Sequence, residues 1–316
     1  MQIPRSNNNV AIQVITLGKE EYLEAIGFTA YAYLTGRIKT RDLIKGSERS
    51  LGEYLEHFVR GKLAEQAFKE FLRTKTGLNT LLDLDLPFFI VGNYLPDVLS
   101  FKQEERWLTA RFWIEVKAVT ERHRWLLIPT TSVRGSTRTQ PRPYCAYVGA
   151  MVHLPKDHLG RLIRYAPGIT ERASQEWTAK LADLEGIEVE ILGFVLYPDI
   201  IDVLNAAEDS DSRARLDGSF GPQCWGYVAK NSSIRDPQTG KSTEVGRDNC
   251  AILLDRLRTN WQSLIEQLTR NEPMVDSTKR DMSQLELQMW RAYAEMRQGS
   301  KSWFARTLVV SEESSA

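Results

Sequence analysis

Three stretches of almost continuous apolar sequence constrain the fold more than any other feature of the chain. They cover residues 112–119, 144–154 and 187–197, and the first is rich in β-branched and aromatic residues. Runs of this length predict strands, and the second and third are typical of central strands covered on both faces. Helical patterns surround them, so we predict an α/β fold, more specifically an α+β mixed sheet.

Helical spacing and end signals predict two helices before these strands. Residues 19–34 carry apolar side chains at helical spacing. A second helix is predicted over 50–75, because Ser50 and Glu53 form a capping-box pattern and Gly77 is a typical stop. Two shorter apolar runs, 81–91 and 94–101, are separated by Gly92 and Asn93 and predict a hairpin.

A polar stretch at residues 206–221 is the best candidate for a domain boundary. Beyond it, residues 224–229 suggest a strand, and helical patterns predict helices at 251–269 and 283–296. The resulting division is an N-terminal helical segment (1–49), a central domain (50–205) and a mainly helical C-terminal extension (206–316).

Several classes of protein are disfavoured by the sequence. Its longest apolar runs are too short to span a membrane, and the N-terminus lacks the pattern of a signal peptide. The three cysteines are far apart and odd in number, which fits neither a disulfide framework nor paired zinc knuckles. A Walker-type phosphate loop is missing, so no nucleotide cofactor is indicated. We therefore expect a cytoplasmic protein.

The charge of the chain is balanced overall but unevenly distributed. Lys and Arg number 41, as do Asp and Glu, yet residues 117–164 hold nine cations and two acids. The polar stretch 130–143 within this region predicts a loop with donors suited to phosphate. An arginine-rich surface without a ligand is the alternative. The candidate DNA-binding residues are Arg122, Arg124, Arg134, Arg138 and Arg142.

Acidic residues in the strand region suggest a metal site. Asp97 starts one strand, and Glu115 and Lys117 share one face of the next, because strand residues two apart point the same way. Pairing that brings Asp97 beside Glu115 would create an oxygen site suited to Mg²⁺. Asp83 or Asp85 could be the acidic ligand instead, and Glu115 with Lys117 could simply be an exposed ion pair.

Glu65 interrupts an otherwise apolar stripe on the second predicted helix. A carboxylate on such a face is costly unless it is paired, protonated or bound to a metal. A helix glutamate together with Asp97 and the Glu115–Lys117 pattern is therefore more informative than any one of these residues alone.

Together these residues resemble the PD-(D/E)xK nuclease superfamily, which includes restriction endonucleases. The motif is matched by Pro96-Asp97 and Glu115-Val116-Lys117, and the resemblance covers about residues 50–200. It implies an αβββαβ core with additional C-terminal helices. It also implies that Asp97, Glu115 and the Val116 carbonyl bind the metal, that Lys117 activates water, and that Glu65 is a second-metal or water-network ligand. The connection 120–143 departs from the pattern, being either a short helix near 122–134 or a DNA-contacting loop.

The resemblance leads us to expect an Mg²⁺-dependent DNA endonuclease, acting as a homodimer on double-stranded DNA. Restriction of foreign DNA would be the typical biology. The alternatives are an RNA-directed nuclease and a DNA-binding subunit with a degenerate nuclease fold, belonging to a defence, repair or transposition complex.

Overall fold

Helices and several sheets of the described residues form one large apolar core, and a second, smaller apolar cluster includes Trp125, Val228 and Ile234. The computed structural model describes residues 12–34, 50–85, 96–104, 106–121, 124–134, 144–161, 186–209, 225–236, 240–272 and 274. These residues form six α-helices and four β-sheets, which confirms the predicted mixed α+β class. None of these helices combines the length and apolar character that crossing a membrane requires.

The two predicted N-terminal helices are confirmed. Helix α1 spans Lys19–Leu34 and helix α2 spans Leu51–Thr76. The Ser50 hydroxyl accepts the backbone N–H of Glu53, whose carboxylate in turn accepts the backbone N–H of Ser50. Gly77 ends α2 in the left-handed conformation, with φ of 71°, and its N–H donates to the Arg73 carbonyl.

The central sheet contains all three apolar stretches. Strand β1 (Gln13–Leu17) lies at one edge, followed by β8 (Ile187–Leu196), β7 (Tyr144–Val152) and β5 (Trp113–Val119). Strands β5 and β7 are parallel, whereas β7–β8 and β8–β1 are antiparallel. Strand β1 was not predicted, and it makes residues 13–17 of the predicted helical segment 1–49 part of the sheet.

A three-stranded antiparallel meander lies between α2 and β5 in the chain. It consists of β2 (Thr80–Leu82), β3 (Val98–Gln103) and β4 (Arg106–Thr109). The run that begins at residue 81 leaves the strand early, because Asp83–Asp85 form a 3-10 turn. The predicted hairpin at Gly92 and Asn93 lies outside the described residues.

The connection after β5 contains one strand and one short helix. Strand β6 spans Trp125–Pro129, and helix α3 spans Thr130–Arg134, so the predicted loop starts as a helix instead. Residues 135–143 lie outside the described part. Strand β6 lies outside the central sheet and pairs with a strand of the C-terminal region. Next come a helical turn, α4 (His158–Arg161), and a helix directly after β8, α5 (Tyr197–Asp209).

The described residues of the predicted C-terminal helical extension combine four strands with helix. This region contains β9 (Trp225–Val228), β10 (Ser232–Arg235), β11 (Ser242–Val245), β12 (Asn249–Leu253) and helix α6 (Trp261–Arg270). Residues 224–229 were predicted as a strand, which β9 confirms.

The predicted helix 251–269 divides into strand, 3-10 turn and helix because β12 pairs with β6 and β9 at once and is buried along its length. The Trp261 ring lies 4.8 Å from that of Phe71 on α2 and 5.3 Å from that of Phe194 on β8. Helix α6 therefore packs on the central core, whereas Val228, Ile234 and Val245 belong to the smaller apolar cluster. Most of the polar boundary stretch and the predicted helix 283–296 lie outside the described residues.

Candidate metal and phosphate site

Asp97 is fixed against the backbone of β5, on the edge opposite β7. Its Oδ2 accepts the Val116 N–H at 2.6 Å, and its own N–H donates to the Ile114 carbonyl at 3.1 Å. The N–H and C=O of one strand residue project to the same side. The Val116 carbonyl therefore lies on the same edge as Asp97. This arrangement places Asp97, which directly precedes β3, beside the middle of the Glu-x-Lys strand, although β3 and β5 belong to different sheets and do not pair as strands.

Glu115 and Lys117 project together from β5. The Lys117 ammonium donates to Glu115 Oε1, while the Glu115 side chain is almost buried and that of Lys117 is partly exposed. Glu115 is also close enough to Asp97 for its charge to act on that carboxyl. The exposed cross-strand ion pair considered from the sequence therefore does not describe this contact, because both side chains come from one strand and Glu115 is buried.

The helix carboxylate Glu65 is paired with a lysine that sequence reasoning missed. Lys62 precedes Glu65 by one turn of α2, and its Nζ lies 2.8 and 2.9 Å from the two Glu65 oxygens. The same Nζ lies 2.7 and 2.9 Å from the two oxygens of Asp83 in the 3-10 turn. A lysine three residues before an isolated acid on an apolar helix face is the signal that could have revealed the pair.

The charges of this cluster are unequal. Four carboxylates (Glu65, Asp83, Asp97 and Glu115) interact with two lysines (Lys62 and Lys117). Burial opposes the charge of Lys62, but Asp83, Glu65 and Asp97 outweigh it and raise the pKa of Lys62. Burial, followed by the charge of Glu115, raises the pKa of Asp97 to about 8, although Lys62 and the Val116 N–H act against the rise. Burial also raises the pKa of Glu65 well above its usual range, despite the charge of Lys62.

No family model, curated protein or solved structure matches the chain. The chemistry of the site therefore rests on its own geometry.

Of the two alternative acids, Asp83 is held by Lys62, and Asp85 is held by Lys69 at 2.7 Å. Asp199, which also follows an apolar strand, forms an ion pair with Arg258 at 2.6 Å. Asp97 is thus the acid that the fold brings to the Glu-x-Lys strand.

The donor set at the β5 edge suits Mg²⁺. Carboxylate and carbonyl oxygens are the ligands that this ion prefers, and proteins commonly bind it through one or two carboxylates plus phosphate and water. Asp97, Glu115 and the Val116 carbonyl are donors of this kind. In the described residues no group of three or more His, Cys, Asp or Glu side chains is placed so that it could hold a metal ion, so the donors here are two carboxylates and a carbonyl. A cation bound here would offset the charge of Glu115, which acts together with the larger effect of burial to raise the pKa of Asp97.

A partly open cavity of about 210 Å³ lies beside Lys117. The end of β5 and strand β6 form part of its lining, which includes Trp125. Ile234 and Thr243 of the β10–β11 hairpin also line it. Lys117 lines this cavity, whereas Asp97 and Glu115 are not part of its lining.

The candidate DNA-binding arginines are described only in part. Arg134 ends α3 and donates to Asn205 of α5 at 2.8 Å, so its side chain is anchored to the protein surface. The carbonyl of Arg124 accepts the Leu254 N–H, which ties the start of β6 to the C-terminal region. Arg122, Arg138 and Arg142 lie outside the described residues.

Two histidine networks also went unpredicted. The buried His158 bonds Tyr22 of α1 through Nδ1 at 2.8 Å and Glu56 of α2 through Nε2 at 2.7 Å. His153 lies between Glu121, 2.5 Å from Nδ1, and Glu190, 2.8 Å from Nε2. Each network connects elements far apart in the chain, so ligand spacing in the sequence could not reveal it.

Proposed function

We propose that the chain is an Mg²⁺-dependent DNA endonuclease with a PD-(D/E)xK core. The observation that carries the proposal is the position of Asp97, whose carboxylate is bonded to Val116 between Glu115 and Lys117. The order α2, meander, β5 and parallel β7 supports a core of the restriction-endonuclease type.

In the proposed reaction, each residue of the β5 edge has a separate role. Asp97, Glu115 and the Val116 carbonyl would hold Mg²⁺, which polarises the phosphate and lowers the pKa of bound water. Lys117 would orient the attacking water and stabilise negative charge on the phosphoryl oxygens. Glu115 positions Lys117 by accepting its hydrogen bond. The hydroxyl and arginine residues that follow β5 would bind the DNA backbone.

Plasmid cleavage tests the proposal directly. Asp97→Asn or Glu115→Gln should lower Mg²⁺-dependent cleavage about a hundredfold or more, because each change removes a charged ligand. The matched control is Asp85→Asn, since Asp85 is an acid on the neighbouring 3-10 turn that pairs with Lys69. The control should keep its activity, and circular dichroism should show all three variants folded.

Full cleavage by Asp97→Asn or Glu115→Gln would remove the proposed site. A dimer is expected for double-strand cleavage, because two active sites are then available. Sedimentation of the protein on a short duplex would measure this stoichiometry. Preference for RNA over duplex DNA would instead indicate an RNA-directed nuclease.

A DNA-binding subunit with a degenerate nuclease fold is the second candidate. The feature that favours it is the engagement of Glu65 and Asp83 by Lys62, which occupies two of the four acids in the cluster. Duplex binding without cleavage in Mg²⁺ or Mn²⁺ would identify this function.

A further inference from the structure

We propose that Lys62 is a built-in cation that fills the second cation position of this site, so that the protein binds one divalent ion and not two. The inference rests on the proposed function, since it concerns the metal content of the same cluster. Glu65 then pairs with Lys62, and the divalent ion binds Asp97 and Glu115.

The contacts of Lys62 are those that two carboxylates would give to a bound cation. All four oxygens of Glu65 and Asp83 lie between 2.7 and 2.9 Å from its Nζ. The ammonium also lies 5.0 Å from the centre of the Phe28 ring of α1, in range for a cation–π contact. A positive charge is therefore already present between the helix and the 3-10 turn.

Exchange of Lys62 for a divalent ion would be unfavourable. Lys62 is 8% exposed, and its ammonium would have to leave both carboxylates and the Phe28 ring. Mg²⁺ gives up its water reluctantly, so it gains little from carboxylates already paired with a buried ammonium.

The β5 edge differs from the Lys62 position in its charge balance. Here Glu115 pairs with the partly exposed ammonium of Lys117, and the charge of Glu115 also acts on Asp97. Phosphate and water can complete the coordination of an ion there. Lys62 thus supplies a permanent cation on the helix side of the cluster, and Asp97 and Glu115 bind an exchangeable ion at the strand edge.

Binding of Mn²⁺ to the full-length protein tests this division without any measurement of cleavage. Calorimetry and electron paramagnetic resonance should find one ion per wild-type chain. Lys62→Met should bind two, because the change leaves Glu65 and Asp83 without their cation. The matched control Lys69→Met, seven residues later on α2, should still bind one ion.

Each outcome supports or overturns a specific claim. Two ions on the wild-type chain, or one on a folded Lys62→Met variant, would overturn the inference. Binding of no ion by the wild type would overturn the proposed metal centre itself, and the inference with it.

Glu65→Gln provides a second test that does not depend on the folding of Lys62→Met. It should still bind one Mn²⁺, with a dissociation constant within about tenfold of the wild-type value, since only a neighbouring charge is lost. Glu115→Gln should lose the ion. If Glu65→Gln loses binding as completely as Glu115→Gln, Glu65 is a ligand and the inference is wrong.

Discussion

Helix α2 makes two lysine–carboxylate contacts with the 3-10 turn Asp83–Asp85, and they differ in burial and in charge balance. Lys62 is buried and bonds two carboxylates, while a third, Asp97, adds its charge. Lys69, two turns later, pairs with Asp85 alone, and about a third of its side chain is exposed. The same two residue types on the same two elements thus form an acidic cluster in one place and an ordinary ion pair in the other.

This difference separates a candidate site from a structural contact. One lysine matched with one carboxylate near the surface leaves little excess charge and stabilises the fold only slightly. Several buried or half-buried acids with fewer lysines are unfavourable without a further cation, so their presence fits a role in binding one. Substitutions of either lysine, of an acid beside each of them, and in a third cluster of similar composition test whether burial and charge balance cause this difference.

The largest expected effect is on the stability of the metal-free protein. Lys62→Met should lower the free energy of unfolding by about 3–5 kcal/mol, because it leaves Glu65 and Asp83 buried without a partner. Lys69→Met should lower it by about 0–1 kcal/mol, as expected for an exposed pair. Urea unfolding at pH 8 measures both values. Equal losses would show that burial does not distinguish the two contacts.

Replacement of Asp97 and of Asp85 by asparagine should change the free energy of unfolding of the metal-free protein in opposite directions. The pKa of Asp97 is raised from 3.8 to about 8 by burial and by Glu115, so ionisation of this carboxyl is unfavourable in the folded protein. The unfolded chain therefore binds fewer protons between these pH values, and the stability of the metal-free protein should fall as pH rises from about 4 to about 8.

Asp97→Asn should weaken this fall and stabilise the metal-free protein at pH 8 by about 1–2 kcal/mol, since the amide oxygen can still accept the Val116 N–H. Asp85→Asn should destabilise it slightly, because the charge that pairs with Lys69 is lost. Thermal unfolding of both variants between pH 4 and 8 measures the effects. Destabilisation by Asp97→Asn at pH 8 would contradict the excess of negative charge.

The sequence was sufficient to predict the parts of the site that depend on local pattern. Apolar runs located β5, β7 and β8, and end signals located α2 within one residue. Strand alternation placed Glu115 and Lys117 on one face. Asp97 was one of three candidate acids in the sequence, and its hydrogen bond to the Val116 N–H places it next to the Glu115–Lys117 strand.

The features that the sequence could not predict depend on contacts between residues far apart in the chain. Asp83 is 21 residues from Lys62, and no local pattern links them. Leu253 at the end of β12 fits a helical stripe with Leu257 and Trp261, and the pairing of β12 with both β6 and β9 makes it part of a strand instead. Helix α5 had a usable signal in Pro198 and Asp199, since proline favours the first helical positions.

The smallest expected effect comes from His153, which like Lys62 lies between two carboxylates but at the surface. Burial disfavours its charged form, yet the hydrogen bonds to Glu121 and Glu190 outweigh burial and raise the pKa of His153 above 6.5. A raised histidine pKa stabilises the fold below the unfolded value, and this stabilisation is lost as pH rises through the folded value. His153→Gln should therefore cost up to about 1 kcal/mol at pH 6 and less at pH 9, because solvent screens the pair. Urea unfolding at both pH values measures the difference. A cost at pH 6 as large as that of Lys62→Met would mean that the ratio of carboxylates to cations, and not burial, sets the strength of these contacts.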